Sequence, residues 1–575
     1  MESLSRGNTP VQPWERIALG LLLVLSCALM AYLCWRTGIT VDEPGHLVGG
    51  RLYWEGADTL KPGDMPPLIK IVGGWAPYLF DLPLPDDLGH VGDKRREWEV
   101  ALAMLERIRA ARIQPGMFWG RLPMLVFPLL TSGLVWLWAR RMTSPPVALI
   151  AAALFAFEPT AMAHGALFKN DLAATFSYFL FWFAAWRYWK RPTWRAAGLI
   201  ALAAALAMIA KLSMLYVFGV APAVVLAKHL AAERRLRWRA LAVAASVCAV
   251  TYGLMLCAAQ FDVHRLSPDE LTALDRDPTL PAWFAPVARA FTVVPVPSQM
   301  WQGTVSLMSG FAYENPVYFW GEIRPHGHPL YFLGALLVKS PVTLLALGVV
   351  GIGMIGWAAW RRRLEWEDLL WILPGPLYIF LASRVPVQLG VRLVLPALPF
   401  GILFVAHAIE RLRTSRAGRA AVAAGLLLFI FEASRIYPYG LSFFNVASGG
   451  PNAGFRYLAD SNLDWGQGLG EVRRWYDRHP GVKLRLSYFG ADQIRRYFPY
   501  EEAPRIPPPW NDQLAKGVTR FMPEPGTWYA ISPNLLPGQF FAPKYRDFYA
   551  EFRQMQPVER LGYAMFLYRA ESPRR

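Results

Sequence analysis

Long uncharged apolar blocks constrain this chain more than any other feature. They recur through residues 1–436 of a 575-residue sequence, and most approach the roughly 20 residues that an α-helix needs to cross a bilayer. Hydrophobic residues make up 54% of the chain and charged residues 18%, whereas soluble domains carry about 25% charge. The composition excludes an ordinary soluble enzyme and a disordered chain, and it predicts a polytopic membrane protein.

We predict about eleven transmembrane helices, which make residues 1–436 an all-α membrane bundle. The predicted spans are residues 17–35, 117–139, 146–161, 172–189, 196–210, 212–229, 240–259, 332–360, 367–383, 391–409 and 419–436. Alternate connections are short and basic, for example residues 140–141 and 361–363, as cytoplasmic connections are. The pattern predicts a cytoplasmic N-terminus. It also accounts for the net charge of +17 without a nucleic-acid partner, because no nucleic-acid-binding module is recognisable.

Three large segments then face the extracytoplasmic side. Residues 36–116 form the first outer loop, in which we predict interfacial helices, and residues 260–331 form a second loop. Residues 437–575 are polar, with alternating segments at 482–489, 526–532 and 562–569. Such alternation is typical of strands. We therefore predict a small α/β extracytoplasmic C-terminal domain.

Several ionisable residues fall near the predicted outer ends of the spans. They are Lys169, Asp171, Lys211, Lys339, Arg384 and Arg392. An ionisable group at membrane depth is costly and marks a candidate functional site, although any single one could instead extend to the interface. Because these residues come from distant parts of the chain and converge on one face, they predict a polar cavity at the outer leaflet.

The sharpest local motif follows the first span and contains Asp42, Glu43, Pro44 and His46. Pro44 suits the first turn of a helix, so Asp42 could simply cap that helix. Capping needs one carboxylate and does not explain the pair with His46. A carboxylate pair is also suited to general-base chemistry or, more weakly, to metal binding.

These motifs together resemble the membrane glycosyltransferases of the GT-C superfamily, in particular protein O-mannosyltransferases and lipid A aminoarabinose transferases. The last of the matching segments is typical of bacterial phospholipid-carrier-dependent glycosyltransferases. The segments that carry the resemblance are residues 42–46, 157–160, 164–171, 210–213, 339–341, 390–396, 437–445 and 449–467.

The resemblance implies an inverting hexosyl- or pentosyltransferase in a bacterial inner membrane. Such an enzyme moves a sugar from a polyprenyl-phosphate carrier to a protein, lipid or glycan acceptor on the extracytoplasmic side. By this match Asp42 is the general base, Glu43 orients Asp42 or the acceptor, and Asp171 is a second acid in the cavity.

The leaving lipid phosphate requires cations. The resemblance places Lys211 and Arg392 on that phosphate, with Lys339 and Arg384 behind them. A further set is expected to bind the acceptor or the sugar: His46, Lys169, Asp460, Asn462, Asp464 and Trp465. No complete metal-ligand set is recognisable, so we assign no metal site, although a divalent cation remains open.

Three alternatives remain open at this stage. A transporter or lipid flippase is one, although such proteins usually show internal repeats and broken helices, which this sequence does not. A non-catalytic scaffold for envelope assembly is another. Residues 460–462 could also be no more than a tight turn that caps the following helix.

Overall fold

The computed structural model describes residues 10–56, 66–84, 94–107, 110–234, 237–313, 315–499 and 504–571. Within these ranges seven helices are long and apolar enough to cross a membrane, and eight if one bent pair counts as a span. The seven are Pro13–Arg36, Ile113–Met142, Leu212–Glu233, Trp238–Ala258, Val342–Trp360, Val391–Leu412 and Arg416–Ile436. The chain is thus a multi-pass membrane protein.

The first half of the chain is helical. Its helices are α1 (Pro13–Arg36), α2 (Glu43–Glu55), α3 (Pro67–Gly73), α4 (Trp75–Leu79), α5 (Lys94–Arg107), α6 (Ala110–Arg121), α7 (Val126–Met142), α8 (Pro145–Ala156), α9 (Pro159–Gly165), α10 (Asp171–Lys190), α11 (Trp194–Ala210), α12 (Val217–Glu233) and α13 (Trp238–Ala258). The bent pair is α8 and α9, which meet at 58° where Pro159 begins α9. Proline at the first turn of a helix is well tolerated, whereas it cannot continue the preceding one.

The next part of the chain combines short helices and two hairpins with the last bundle helices. These elements are β1 (Val263–His264), α14 (Pro268–Arg276), α15 (Phe284–Ala288), β2 (Val296–Pro297), α16 (Ser298–Gly310), β3 (Val317–Phe319), β4 (Glu322–Arg324), α17 (Tyr331–Lys339), α18 (Val342–Trp360), α19 (Leu369–Ile372), α20 (Pro374–Ala382), α21 (Leu398–Leu412) and α22 (Arg416–Ile436). Strands β1 and β2 pair antiparallel, as do β3 and β4.

Every predicted span coincides with helix, but four of the eleven do not pass the length and composition test as straight spans. The block 146–161 is the bent pair, and 196–210 and 367–383 correspond to shorter apolar helices. Helix α10, at 172–189, begins at Asp171 and ends at Lys190. Its aromatic core is buried, since Trp138 packs against Phe179 at 5.0 Å between ring centroids.

Small residues bring the bundle helices close together. Helix α11 buries a run of alanines against α10, which lets the two backbones approach as membrane helices commonly do. Small residues also allow close packing within the first outer loop. A Cβ on Gly74 would lie only 2.6 Å from the Cα of Gly50. Helix α3 is therefore packed inward, and its Leu68, Ile69 and Lys70 are buried.

The C-terminal unit (residues 437–571) contains a four-stranded mixed sheet, as the alternating segments predict. Its elements are α23 (Leu469–Asp477), β5 (Leu484–Ser487), β6 (Trp528–Ile531), α24 (Asp512–Ala515), α25 (Ala550–Gln554), β7 (Glu559–Leu561) and β8 (Met565–Arg569). The strand order is β5-β6-β8-β7, with β5 and β6 parallel and the other pairs antiparallel. The three predicted segments contain β5, β6 and β8, whereas β7 was not predicted.

Candidate functional site

The adjacent carboxylates of the first motif point to different partners. Asp42 is the residue before α2, but its side chain makes no capping hydrogen bond. Its carboxylate instead forms an ion pair with the ammonium of Lys169. The simple capping alternative for Asp42 is therefore wrong, and this carboxylate belongs to a charged site.

Glu43 is fully buried and has a positioning role. Its two oxygens accept from the Arg121 guanidinium, at 2.7 Å from Nε and 2.6 Å from Nη2. The backbone N–H groups of Thr40 and Phe168 donate to the same carboxylate, each at 2.9 Å. Because each oxygen already has at least two donors, Glu43 fixes the chain that carries Asp42. Of its two expected roles, these contacts favour the orientation of Asp42 over that of the acceptor.

Five charged side chains from separate parts of the chain meet beside Asp42. We call them the charged cluster: Asp42, Lys169, Asp171, Lys211 and Arg392. Lys211 Nζ lies 2.7 Å from Asp171 Oδ1. Arg392 Nη1 lies 3.5 Å from Asp42 Oδ2 and 3.7 Å from Asp171 Oδ2. The two acids and three bases that the sequence placed near one membrane face are thus brought together.

The two acids of the charged cluster differ in access. The Asp42 side chain is 28% exposed, whereas that of Asp171 is fully buried. Desolvation opposes the charged form of Asp42, but Lys169 and Arg392 outweigh it and hold the pKa of its carboxyl below the usual range. Desolvation also lowers the pKa of Lys169, although Asp42 opposes that change. Asp42 is therefore an ionised carboxylate that a substrate can reach.

Arg392 is held in place by the C-terminal unit. It lies in a 3₁₀ turn, Val391–Ala397, after Gly390, whose φ of +132° disfavours any side chain. Its Nε donates to Ser461 Oγ at 3.1 Å, and its guanidinium covers the Trp465 ring at 4.2 Å from the centroid. A cation on an indole face is stabilised by the ring quadrupole, so Trp465 orients the phosphate-binding candidate.

The other residues expected to bind acceptor or sugar in this segment have structural partners. Asn462 accepts from Val391 N at 2.9 Å and donates to the Tyr331 hydroxyl at 2.9 Å. Asp464 accepts from Gly466 N at 2.9 Å and from the hydroxyl of Ser532. Both are fully buried. They are corrected from ligand-binding residues to residues that shape the segment around Arg392.

Asp460 differs from its neighbours because it is only half-buried. It has a φ of +60° at the start of the turn Asp460–Asn462, and helix α23 begins only at Leu469. The turn alternative is therefore correct, and the capping of the following helix is not. Burial raises the pKa of Asp460 to about 6, although Arg392 opposes the shift. Asp460 remains a candidate for binding the acceptor.

Asp464 makes the protein less stable at alkaline pH. Burial raises the pKa of Asp464 to about 7, against about 3.9 in an unfolded chain. A carboxyl group whose pKa is higher in the folded than in the unfolded protein stabilises the fold fully below about pH 4. This stabilisation is lost as the pH rises through about 7. We expect the midpoint of thermal unfolding, followed by tryptophan fluorescence, to fall between pH 5 and pH 8. Asp464→Asn should remove the part of this pH-dependent fall that is due to Asp464. The control is Asp477→Asn, which changes an exposed acid of α23 and should keep the fall. An unchanged pH dependence in Asp464→Asn would contradict the assignment.

Two predicted phosphate-binding residues lie outside the charged cluster. The Lys339 ammonium is buried and donates to the carbonyl oxygens of Leu441 at 2.8 Å and Asn462 at 2.6 Å. Arg384 is exposed and lies over the Phe380 ring at 5.4 Å. Lys339 is therefore corrected to a structural cation, and the structure gives Arg384 no contact with the cluster.

The two residues of the acceptor set that precede the C-terminal unit are near Asp42. Lys169 pairs with Asp42, as described above. The His46 imidazole is buried, and neither ring nitrogen has a hydrogen-bond partner among the described residues. Burial, reinforced by Lys169, lowers the pKa of His46 well below its usual value. A neutral imidazole with unused nitrogens beside a carboxylate is suited to binding a hydroxyl group.

Sequence reasoning missed the arginine that fixes Glu43. Arg121 lies inside the apolar block 117–139, where an ionisable residue is costly. The same rule singles out Arg121 as a candidate from the sequence alone. Besides Glu43, Arg121 donates to the carbonyl oxygens of Thr37 at 2.7 Å and Gly38 at 2.9 Å, and so ties the end of α1 to α2.

An apolar groove begins at the charged cluster. It encloses about 240 Å³, and Lys211 and Ser213 are among the side chains that line it. The remaining lining residues are Tyr216, Leu307, Phe311, Phe332, Tyr378, Leu381, Ala382, Val385, Val387 and Leu393. The groove therefore offers a mainly apolar surface that includes the side chain of Lys211.

The charged cluster does not fit a divalent cation. Its two carboxylates are already surrounded by three cationic side chains, so a metal would have to displace them. Among the described residues, no group of three or more His, Cys, Asp or Glu side chains is arranged to hold a metal ion.

Comparisons with known proteins give one family and several structures. Residues 109–258 match the family model described as dolichyl-phosphate-mannose-protein mannosyltransferase, and this segment contains Arg121, Lys169, Asp171 and Lys211. A comparison with curated proteins finds no significant match.

Two solved structures are similar to this chain. The apo crystal structure of ArnT from Cupriavidus metallidurans is 14% identical, with 96% of this chain and 97% of that one covered and a TM-score of 0.44. The apo oligosaccharyltransferase from Archaeoglobus fulgidus is 13% identical, with 91% and 70% covered and a TM-score of 0.45. Through the family model, residues 109–258 carry the sequence pattern of dolichyl-phosphate-mannose-protein mannosyltransferases, which confirms the resemblance of this chain to GT-C membrane glycosyltransferases.

Proposed function

We propose that the protein is an inverting glycosyltransferase that moves a hexose or pentose from a polyprenyl-phosphate carrier to an acceptor hydroxyl. The observation that carries the proposal is that Lys211 both lines the apolar groove and belongs to the charged cluster, which also contains the accessible carboxylate of Asp42. A polyprenyl-phosphate sugar has the same three parts in the same order: an apolar chain, a phosphate and a sugar. The matched family model, whose description names a dolichyl-phosphate sugar, supports this donor class.

The groove and the cations would hold the carrier. The polyprenyl chain lies in the groove and its phosphate meets Lys211 and Arg392. A guanidinium can grip a phosphate through two parallel hydrogen bonds, whereas an ammonium acts as a point charge. Since the cluster has three cations and two carboxylates, it has one positive charge available to neutralise the phosphate.

The transfer itself is a single displacement at the anomeric carbon. The acceptor oxygen forms a bond to that carbon while the bond from carbon to phosphate oxygen breaks, and the phosphate leaves with the electron pair. The acceptor proton passes to Asp42, which acts as general base. Lys211 and Arg392 stabilise the charge that develops on the departing phosphate, and the proposal assigns His46 to the orientation of the acceptor hydroxyl.

Donor binding would prepare Asp42 for this role. Without donor, Lys169 and Arg392 hold the pKa of Asp42 low, which makes it a weak base. A phosphate that draws these cations to itself weakens their hold and raises the pKa of Asp42. The base thus gains strength when the donor is present.

The sidedness follows from the sequence. The basic connections predict a cytoplasmic N-terminus, and the charged cluster and the C-terminal unit would then face the extracytoplasmic side. The resemblance described above suggests that the membrane is a bacterial inner membrane. The acceptor is then a protein, lipid or glycan outside the cytoplasm.

The experiment uses the full chain in lipid vesicles supplied with a polyprenyl-phosphate-linked sugar labelled in the sugar, with a cell-envelope extract as acceptor. We expect the amount of labelled sugar on the acceptor to equal the amount of polyprenyl phosphate released. We also expect no loss of activity in EDTA. Vesicles without protein are the control. Movement of intact donor across the bilayer without cleavage would indicate a flippase instead, and neither movement nor cleavage would favour the scaffold.

Lys211 should control the affinity for the donor. A hydrogen bond to a charged group contributes about 1.5–3 kcal/mol, so Lys211→Met should raise the KM for the polyprenyl-phosphate sugar about 10- to 100-fold. Lys228→Met is the matched control, since Lys228 lies over the Trp189 ring and has no contact with the cluster. An unchanged KM in Lys211→Met would contradict the placement of the phosphate.

A further inference from the structure

A second cavity lies between the hairpin of β3 and β4 and the C-terminal unit. It encloses about 430 Å³, within the range of about 300–1,000 Å³ typical of small-molecule sites. Its walls are joined by backbone hydrogen bonds, since Trp320 N donates to Tyr457 O at 2.8 Å and Phe319 bridges to Leu458. The cavity is thus formed before any ligand arrives.

Two arginines, Arg456 and Arg553, and no acid line this cavity among the described residues. The guanidinium of a third, Arg560, lies over the rings of Phe455 and Phe566, which belong to the cavity wall. Arg553 is neutralised, because it pairs with Asp547 and donates to the Leu536 carbonyl oxygen at 2.9 Å. Arg456 and Arg560 have no acidic partner among the described residues. Their guanidinium carbons both lie about 6 Å from the centroid of the Phe455 ring, at 5.8 Å and 6.0 Å.

The two unpaired arginines are in an environment that calls for an anion. Arg560 Nε is buried without a hydrogen-bond partner among the described residues, and such a donor is costly to leave unpaired. Burial lowers the pKa of Arg560, and the nearby charge of Arg456 lowers it further, although Tyr568 opposes the shift. An anion that bridges both guanidiniums would remove the repulsion and satisfy the buried N–H.

Aromatic side chains form part of the cavity wall, including Tyr318, Phe566 and Tyr568, beside aliphatic and proline residues. A flat aromatic surface beside polar groups is suited to a sugar ring, because the ring presents C–H groups on its face and hydroxyl groups at its edge. Phosphate and carboxylate are the anions that a guanidinium fork fits best. The chemistry of the cavity is therefore that of a site for a charged saccharide.

The cavity is close to the charged cluster along the chain. Arg456 precedes Asp460 by four residues, which span at most about 14 Å. On the opposite wall, Pro533 lies between Ser532, which bonds Asp464, and Asn534, which donates to the Asp460 carbonyl oxygen at 3.3 Å. Both walls of the cavity thus continue into the segment that positions Arg392.

We propose that this cavity binds the phosphate or carboxylate of an anionic saccharide through Arg456 and Arg560. Under the proposed function this saccharide belongs to the acceptor, but the binding requires neither donor nor catalysis. The site is separate from the charged cluster and recognises a different molecule.

The test measures binding to the full chain in detergent by calorimetry, without any donor. The probes are glucose 6-phosphate, glucuronate, neutral glucose and inorganic phosphate. We expect both anionic sugars to bind, neutral glucose to bind at least 10-fold more weakly, and Arg560→Gln or Arg456→Gln to weaken the anionic sugars at least 10-fold. Arg456 is exposed, so its variant tests the site even if Arg560→Gln does not fold.

Two control variants separate this site from other cations. Arg569→Gln removes an arginine of β8 that lies over Trp528 outside the cavity, and Lys211→Met removes a cation of the charged cluster. Both should bind the sugars as the unaltered protein does. Binding that is unchanged in Arg456→Gln and Arg560→Gln would overturn the proposal, and inorganic phosphate binding as tightly as the sugar phosphate would overturn its saccharide part. Either result leaves the transfer assay unaffected, so failure here is distinguishable from failure of the proposed function.

Discussion

Asp42→Asn should reduce sugar transfer by about 10²- to 10⁴-fold, the range that general acid–base catalysis typically contributes. Asparagine keeps the shape of the side chain but cannot accept a proton. Because Asp42 is the accessible carboxylate of the charged cluster, at 28% exposure against full burial for Asp171, the loss should fall on kcat. The measurement is kcat and KM for the polyprenyl-phosphate sugar in vesicles.

The matched control is Asp262→Asn, which changes an acid that bonds the Ser298 hydroxyl in another part of the chain. It should keep nearly full activity. If Asp42→Asn retained more than about a tenth of the kcat in folded protein, the proton would pass to another group, and Asp460 would be the next to test. A loss confined to KM would instead make Asp42 a residue that only holds Lys169 and Arg392.

The substitution Glu43→Gln, at the neighbouring residue, should lower the stability of the folded protein. Removing one charge of a buried ion pair costs about 3–5 kcal/mol, and it leaves the Arg121 guanidinium, whose exposure is zero, next to a neutral amide. We expect a clear fall in the midpoint of thermal unfolding in detergent and a lower yield of folded protein. The loss of activity should follow the loss of folded protein.

Asp42→Asn is the internal comparison for this prediction, because the two substitutions are adjacent and make the same chemical change. It should lower the unfolding midpoint less, since Asp42 is partly exposed and Lys169 retains Asp171 nearby. Equal unfolding midpoints for Glu43→Gln and the unaltered protein would contradict the positioning role. Full stability with abolished transfer in Glu43→Gln would instead assign it to the reaction.

The charged cluster was largely predictable because outward-facing cations break a strong rule. Lys and Arg concentrate on the cytoplasmic side, so Lys211 and Arg392 at the other ends of their spans were informative. Lys339 is also a cation near the outer end of a predicted span, but its role is structural. What separates it from Lys211 is the tertiary structure, which places the carbonyl oxygens of Leu441 and Asn462 at its ammonium.

The roles of Asp42 and Glu43 could not be read from their order in the chain. Neighbouring residues at a helix start point to different sides, and the partners lie in distant segments: Lys169 for one and Arg121 for the other. The strand β7 was not predicted for a different reason. It has only three residues, Glu559–Leu561, too few for an alternating pattern to be visible.

The hydrogen bond from Val41 N to Trp465 O, 2.9 Å long, joins the first outer loop to the C-terminal unit. Together with the contact of Ser461 on Arg392, it makes the order of synthesis matter. Domains generally fold from the N-terminus during translation, so Asp42 and Lys211 are in the membrane long before Trp465 leaves the ribosome. A nascent or truncated chain therefore lacks the contacts of Trp465 and Ser461, and we expect Arg392 to take its place in the charged cluster only after the C-terminal unit has been synthesised.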